Sequence, residues 1–369
     1  MQPKQTNMRP KFFVNGRYLS RPVTGVERFA NGVLHTLDAI IPDEQIDDWT
    51  ILVPPGTPTV QSFSRLRVQA SGRLKGHAWE QVDLLRASAG GVLINLCNSG
   101  PVLHRRQLTV IHDALVYRFP EGFSRAYRTL HRSLGRLLAK TSHIATVSQF
   151  SKREIADVLS LSEDSIRVIP NAVDHLSDIR PDNSVLRRLN LETRPFFLFV
   201  GSPAPNKNLS TALNAFRDLG RADTAFVLVG AAAKAFSSVG NSAPPENCIR
   251  PGRLTDEEIT ALYRNAVALI FPSIYEGFGI PPLEAMSLGC PVIASDIPVL
   301  REVCGEAALY FEPKDAGSLR RAMEHLLSPA TDRQSIEDAG KERAAQFSWR
   351  HSGERLLADA EDIAAGRWR

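Results

Sequence analysis

Short runs of four to six apolar residues, without alternating polar positions, recur along almost the whole chain. They lie at Lys11–Val14, Trp49–Val53, Gly91–Leu96, Leu108–Ile111, His143–Val147 and Ile166–Ile169. A second series lies at Pro195–Val200, Ala225–Val229, Cys248–Arg250, Ala268–Phe271, Pro291–Ala294 and Ala308–Phe311. Such runs suit strands buried on both faces. Amphipathic helical patterns, such as Asn208–Leu219 and Asp256–Asn265, fall between them. The alternation predicts an α/β protein with parallel sheets covered by helices on both sides.

At 369 residues the chain exceeds one ordinary core, so two domains are expected. The polar stretch Asp174–Arg194 reads as the linker between the two strand series. This sets an N-terminal domain over residues 1–180 and a C-terminal domain over residues 190–349. The helical tail, residues 350–369, is expected to cross back to the first domain. With 43% hydrophobic and 23% charged residues, the composition excludes a disordered or fibrous chain. No apolar run reaches the ~20 residues of a membrane-spanning helix. Met1–Pro10 has no apolar core of a secretory signal. Cys97, Cys248, Cys290 and Cys304 are scattered, which indicates neither a disulfide framework nor a zinc site. A reducing cytoplasm is the expected home.

The most informative segment is Ala268–Ile297, ALIFPSIYEGFGIPPLEAMSLGCPVIASDI. A buried strand leads into a loop holding Glu276-Gly277-Phe278-Gly279. Pro281 and Pro282 suit the start of a helix, and Glu284 lies in its first turn. The two glycines let backbone approach a ligand closely. Free N–H groups at the loop and helix start favour an anion such as a diphosphate. Carboxylates there would repel phosphate, so they are better explained as acceptors for the hydroxyls of a sugar or ribose. The segment reads as a site for a polyol attached to a phosphate.

These residues, Pro-Ser-x-Tyr-Glu-Gly-Phe-Gly-x-Pro-x-x-Glu-Ala, resemble the signature of retaining glycosyltransferase family 4, and the likeness runs on through Gly289-Cys-Pro-Val-Ile-Ala-Ser. The resemblance extends from about Lys11 to Trp349. It implies the two-domain B-type glycosyltransferase fold: two Rossmann-like domains with parallel sheets facing each other across a cleft. It implies that Glu276 contacts hydroxyls of the donor sugar. The Gly277, Phe278, Gly279 and Ile280 backbone would hold sugar and diphosphate, and Glu284 the ribose hydroxyls. Phe196–Leu209, FFLFVGSPAPNKNL, resembles the family's Val-Gly-x-x-x-x-(Arg/Lys)-Lys-Asn segment. There Gly201 and Ser202 border the donor, and Lys207 would neutralise its diphosphate. This chain has Ser202 where many members have Arg, and Asn206 at another basic position. Thr24-Gly25-Val26-Glu27-Arg28 resembles the family's N-terminal glycine loop, with Gly25 and Val26 meeting the donor phosphate and Arg28 on the acceptor side.

Ile111-His112-Asp113 ends a buried strand, where ligands of open α/β sheets bind. The resemblance makes His112 part of the donor-sugar site, so His112, Lys207 and Glu276 are the catalytic candidates. Asp113 is an acceptor-side candidate, and Trp79-Glu80-Gln81 resembles a segment near that side. The family works without an essential metal or cofactor. The expected co-substrate is a nucleoside diphosphate sugar, guanosine diphosphate mannose before uridine diphosphate donors. The expected acceptor is a glycan or a lipid-linked diphosphate in surface polysaccharide assembly. No nucleic acid partner is expected.

Charge adds one further reading. Residues 1–185 carry 23 Lys and Arg against 17 acids, and the remainder 21 against 23. A basic half points to an anionic partner or surface. In Arg125–Lys140 the cations Arg125, Arg128, Arg132, Arg136 and Lys140 recur every three or four residues, so they fall on one helical face. Tyr127, Leu130, Leu134, Leu137 and Leu138 fall on another. This predicts peripheral attachment to an anionic inner leaflet. The rival readings are a sugar-nucleotide epimerase of the same fold and a non-catalytic membrane-docking subunit. An NAD-dependent oxidoreductase would need a Gly-x-Gly-x-x-Gly turn, which neither strand series supplies.

Overall fold

The computed structural model describes residues 9–58, 63–230 and 245–368. The chain divides into two compact units. The first comprises Met1–Arg118, Phe123–Asn171 and Trp349–Arg369, and the second Phe119–Gly122 and Ala172–Ser348.

The first unit is built on seven strands: β1 (Phe12–Asn15), β2 (Trp49–Val53), β3 (Arg67–Ala70), β4 (Val92–Asn95), β5 (Gln107–Val110), β6 (His143–Thr146) and β7 (Ile166–Val168). Their order is β3-β2-β1-β4-β5-β6-β7, and every pairing is parallel. β1 therefore pairs with both β2 and β4, with Phe12 opposite Trp49 on one side and Val92 on the other. The sheet turns back on itself at that point, which opens a crevice at the carboxyl ends of β1 and β4. β3 was not visible as an apolar run. It is an edge strand, Arg-Val-Gln-Ala, with three of its four residues exposed.

The helices follow from local chemistry. α1 (Gly25–Ile40) opens on a capping box in which Glu27 receives the Thr24 backbone N–H, and it buries Phe29, Val33, Leu34 and Leu37 along one face. The helical segment of residues 76–87, α2, contains a π-helical turn at Glu80–Leu84. α3 (Arg125–Thr141) is capped by the Ser124 hydroxyl, which accepts from Tyr127 N, and α4 (Gln149–Leu159) by Ser148.

The second unit has six parallel strands: β8 (Phe196–Gly201), β9 (Ala225–Gly230), β10 (Cys248–Gly252), β11 (Ala268–Phe271), β12 (Val292–Ser295) and β13 (Leu309–Phe311). Their order is β10-β9-β8-β11-β12-β13, so the reversal lies between β8 and β11. Among the described residues its longer helices are α5 (Leu209–Leu219), α6 (Asp256–Asn265), α7 (Ile280–Ser287), α8 (Pro298–Cys304), α9 (Ala316–Leu327) and α10 (Arg333–Ala344). Phe197, Phe199, Phe216, Phe226, Ile270 and Ile293 form the centre of its core.

The stretch expected as a linker, Asp174–Arg194, is folded into the second unit, and the division falls upstream at Asn171. Short helical turns at Asp174–Asp178 and Ser184–Arg188 bury Leu176, Val185 and Leu186. Asp182 N donates to Glu257 O, and Arg188 pairs with Glu258. The apolar residues scattered through this polar stretch outweigh its prolines.

The last helix, α11 (Trp349–Ala364), belongs to the first unit and packs along α1. Trp349 is 5% exposed and lies edge-on to Phe29. The Ser352 hydroxyl donates to Pro170 O at 2.7 Å, and Arg106 to Ala364 O at 3.0 Å. The contact requires a glycine on α1, because a Cβ at Gly32 would sit 2.4 Å from the Trp349 ring. Gly32→Ala should therefore lower the stability of the first unit by about 1–3 kcal/mol, measured by urea unfolding. Gly122→Ala, where an added methyl meets nothing within 4 Å, is the neutral control. Equal midpoints for the two variants would contradict this packing.

Candidate functional site

In the second unit the loops leaving β8 and β11 are tied to each other residue by residue. The β8 loop forms a 3-10 turn at Pro205–Lys207, and Asn208 follows in the left-handed region at φ 50°. Ile274 N donates to Asn206 O at 2.8 Å, and Asn206 Nδ2 donates to Tyr275 O at 3.1 Å. Lys207 Nζ then reaches Glu276 Oε1 at 2.6 Å. Their side chains are 20% and 13% exposed, and the ammonium also stands 5.5 Å from the centre of the Phe271 ring. The structure thus brings together Lys207 and Glu276, both picked out from the sequence, and gives Asn206 a structural task. No local sequence signal pairs Asn206 with Tyr275, since the two loops adjoin only through the pairing of β8 with β11.

Glu284 sits on the first turns of α7, 7% exposed, and its Oε2 accepts from the Tyr263 hydroxyl on α6 at 3.1 Å. Tyr263 was missed because nothing in its neighbourhood marks it. α7 begins at Ile280 with Gly279 as its N-cap at φ 97°, so Pro281 and Pro282 occupy its second and third positions. That backbone angle, with Leu300 Cδ2 only 2.8 Å from where a Cβ would lie, explains glycine at position 279. Phe278 is buried against Phe347, so only its main chain remains for a ligand, beside Gly277 and Ile280. Ser202 is exposed just beyond Gly201, the last residue of β8.

In the first unit Gly25 and Val26 open α1, and Cys97 Sγ lies 4.0 Å from Val26 O. Glu27 takes the Thr24 N–H, so part of the donor capacity of that helix start is already engaged. Arg28 lies half-buried one position on. His112 follows β5. Its main-chain N–H donates to Asn98 Oδ1 at 2.7 Å, and its Nε2 lies 2.8 Å from Leu96 O. A carbonyl partner requires the hydrogen on Nε2, which leaves Nδ1 as an acceptor. The ring meets Phe29 edge to face at 4.9 Å. Asp113 Oδ1 accepts from Leu115 N at 2.8 Å. Asp113 also lines a pocket of about 230 Å³ with Asn98, Tyr127 and His131 at its polar side and Ile111 and Ile155 at its apolar side.

Trp79-Glu80-Gln81, the segment that resembles one near the acceptor side, is engaged in bonds within the first unit. Trp79 is fully buried with its indole N–H on Ser71 O, and Gln81 bonds Gly100 O and Val102 N. Glu80 is 0% exposed and pairs with Arg17 at 2.9 Å. Burial pushes its carboxyl up, but hydrogen bonds from His77, Asn15 and Ser99, with the Arg17 charge, hold it below the ordinary carboxylate value. In α3 the cations do not form a single outward row. Arg132 turns inward, donating to Val116 O and Tyr117 O over the Tyr117 ring. The leucines also divide: Leu134 and Leu138 are buried, while Leu130 and Leu137 are each 48% exposed. The outward face carries Arg125, Arg136 and Lys140 beside those two leucines, with no acidic residue in the helix.

Burial pushes the His112 imidazole down to about 4, so it is neutral at physiological pH. The unfolded chain binds this proton near the ordinary value of about 6.5 and the folded chain does not. Stability from this group is therefore complete above about pH 6.5 and falls as the pH drops towards 4, by roughly 3 kcal/mol. His112→Gln should flatten that loss in urea unfolding followed from pH 7 to pH 4.5. An identical pH slope in variant and wild type would contradict a buried neutral imidazole.

Among the described residues no helix is long and apolar enough to cross a membrane. The family described as glycosyl transferases group 1 matches residues 185–343, and glycosyltransferase family 4 matches residues 35–175. The O-antigen chain mannosyltransferase B of Escherichia coli is 31% identical over 257 residues, 66% of this chain and 67% of that protein. The O-antigen chain mannosyltransferase RfbU of Salmonella typhimurium is 31% identical over 228 residues, covering 61% of this chain and 62% of its own length. Among solved structures, sucrose-phosphate synthase from Thermosynechococcus elongatus superposes with a TM-score of 0.73 at 18% identity, over 97% of this chain and 100% of that one. With the strand reversal, the Glu276–Glu284 segment and matches along both units, this chain belongs to glycosyltransferase family 4 and has its two-domain B-type fold.

Proposed function

We propose that this glycosyltransferase moves mannose from guanosine diphosphate mannose to a glycan or lipid-linked diphosphate acceptor during surface polysaccharide assembly, in the cytoplasm. The observation that carries the reading is the grouping of Lys207, Glu276 and Glu284 at the carboxyl ends of β8 and β11. The mannose choice rests on relatives named as O-antigen mannosyltransferases. A uridine diphosphate donor is the alternative that a donor screen would separate.

In this reading Glu284 and Tyr263 receive the ribose hydroxyls, and Glu276 the sugar hydroxyls. Lys207 faces the diphosphate, with the main-chain N–H groups of Gly277 to Ile280 beside it. Neutral His112 offers Nδ1 as an acceptor for a hydroxyl of the transferring sugar. The bond from the anomeric carbon to the phosphate oxygen breaks as the acceptor oxygen bonds that carbon on the same face. The acceptor proton passes to the departing diphosphate, so configuration is retained and no enzyme-bound sugar ester forms. Lys207 and the loop amides offset the leaving charge without a metal ion.

The outward face of α3 supports a second partner, the anionic surface of the inner leaflet. Cations that attract lipid phosphate stand beside exposed leucines able to enter the headgroup layer, each Lys or Arg contributing about 1 kcal/mol.

Glu284→Ala should weaken donor binding roughly 10- to 150-fold in calorimetry, the loss of a charged hydrogen bond worth about 1.5–3 kcal/mol. Unchanged affinity would rule out the ribose role. Lys207→Ala should lower turnover more than it weakens donor binding, because its contact strengthens as the diphosphate leaves. Release of nucleoside diphosphate should depend on acceptor and persist in chelator; loss of activity restored by magnesium would contradict the metal-free step. Co-sedimentation with liposomes should require anionic lipid, weaken with salt, and fall when Arg125, Arg136 and Lys140 become Glu. No binding at low salt would end the membrane reading.

A further inference from the structure

The ion pair of Lys207 with Glu276 has a consequence for ligand choice. The two side chains meet at 2.6 Å in the free protein, and both are mostly shielded from water. Neither loop can carry its charge away easily. The residues before Glu276 are fixed by Ile274 N to Asn206 O and by Asn206 Nδ2 to Tyr275 O, and Asn206 itself is 6% exposed. A diphosphate that takes the Lys207 ammonium must therefore take it from Glu276. The carboxylate stays where it is, poorly hydrated and next to further negative charge.

We infer that this pair makes the site discriminate an intact nucleoside diphosphate sugar from the bare nucleoside diphosphate. The inference rests on the donor site proposed above. An intact donor compensates both ends of the opened pair: its phosphates meet Lys207, and its sugar hydroxyls donate to Glu276 in place of the ammonium. A bare nucleoside diphosphate compensates only Lys207, and leaves Glu276 without a donor. A shielded carboxylate stripped of its cation is strongly unfavourable. The pair thus weakens the product relative to the substrate. Once the sugar has left, reunion of Lys207 with Glu276 favours departure of the diphosphate. Glu276 acts here through charge as well as through contact with the sugar.

The test is calorimetric, on the full chain without acceptor, using GDP with GDP-mannose and UDP with UDP-glucose. Glu276→Gln keeps the volume of the side chain and removes its charge, so Lys207 is no longer held by a competing anion. It should bind the bare nucleoside diphosphate about threefold to tenfold tighter than wild type. Wild-type preference for the sugar-bearing ligand over the bare one should narrow by at least that factor. Glu276→Ser should show the same sign, which separates the loss of charge from any effect of the amide. Equal or weaker binding of the bare nucleotide by both variants, with wild type binding normally, overturns the exchange and leaves the donor site standing. Failure of wild type to bind any of the four ligands overturns the donor site and this inference together.

Discussion

The two hydrogen bonds made by Asn206 set the geometry on which the second unit's chemistry depends. A parallel sheet sends every strand out at the same edge, so the loops after neighbouring strands β8 and β11 emerge side by side. Adjacency alone leaves such loops free to adopt many registers. Asn206 fixes one, by accepting from Ile274 N and donating to Tyr275 O. Lys207 and Glu276 then meet as the next residues of the two loops, and their ion pair continues the same register. The loop beyond it turns at Gly279 into α7, which carries Glu284 towards Tyr263. A basic residue at position 206 would offer charge to a phosphate, while this asparagine, buried and neutral, offers a shape.

The first unit solves a different problem at its own sheet reversal. Arg17 and Glu80 are both nearly inaccessible, and an isolated buried charge would be prohibitive there. The cost is offset by partners: Glu80 receives Arg17, His77, Asn15 and Ser99, and Asn95 extends the network to Gln107 and Thr109. Asn15, Asn95, Gln107 and Thr109 lie on β1, β4 and β5, and His77 and Glu80 on α2, so one polar network ties that helix to the strand ends. His112 is placed by the same logic, with its Nε2 facing the carbonyl of Leu96 and its face against Phe29. Burial keeps the ring neutral, which suits acceptance of a hydrogen bond and excludes a cationic role at neutral pH.

α3 shows how packing redistributes a pattern that looks simple on a helical wheel. Arg132 is drawn inward because the carbonyls of Val116 and Tyr117 need donors, and its flat cation stacks over the Tyr117 ring. The core needs only Leu134 and Leu138, which leaves Leu130 and Leu137 beside the remaining cations. The resulting face mixes apolar and cationic groups more closely than two opposed stripes would.

The sequence by itself determined the class of fold and the positions of most buried strands, and it marked Lys207, Glu276 and Glu284 as candidates. Those features are local: apolar runs report burial on both faces, and glycine and proline at fixed offsets report one loop conformation. Tertiary structure alone decided the rest. β3 is exposed at the sheet edge and carries no apolar run, so its pairing with β2 was invisible. The polar stretch from Asp174 hid Leu176, Val185 and Leu186, whose burial places it within the second unit. Tyr263 and Asn206 acquire their partners from elements distant in the chain, and Glu80 gathers a buried network that its neighbours in sequence do not announce. Local spacing specifies which residues can share a turn, whereas partners brought together by strand order depend on how the whole sheet closes.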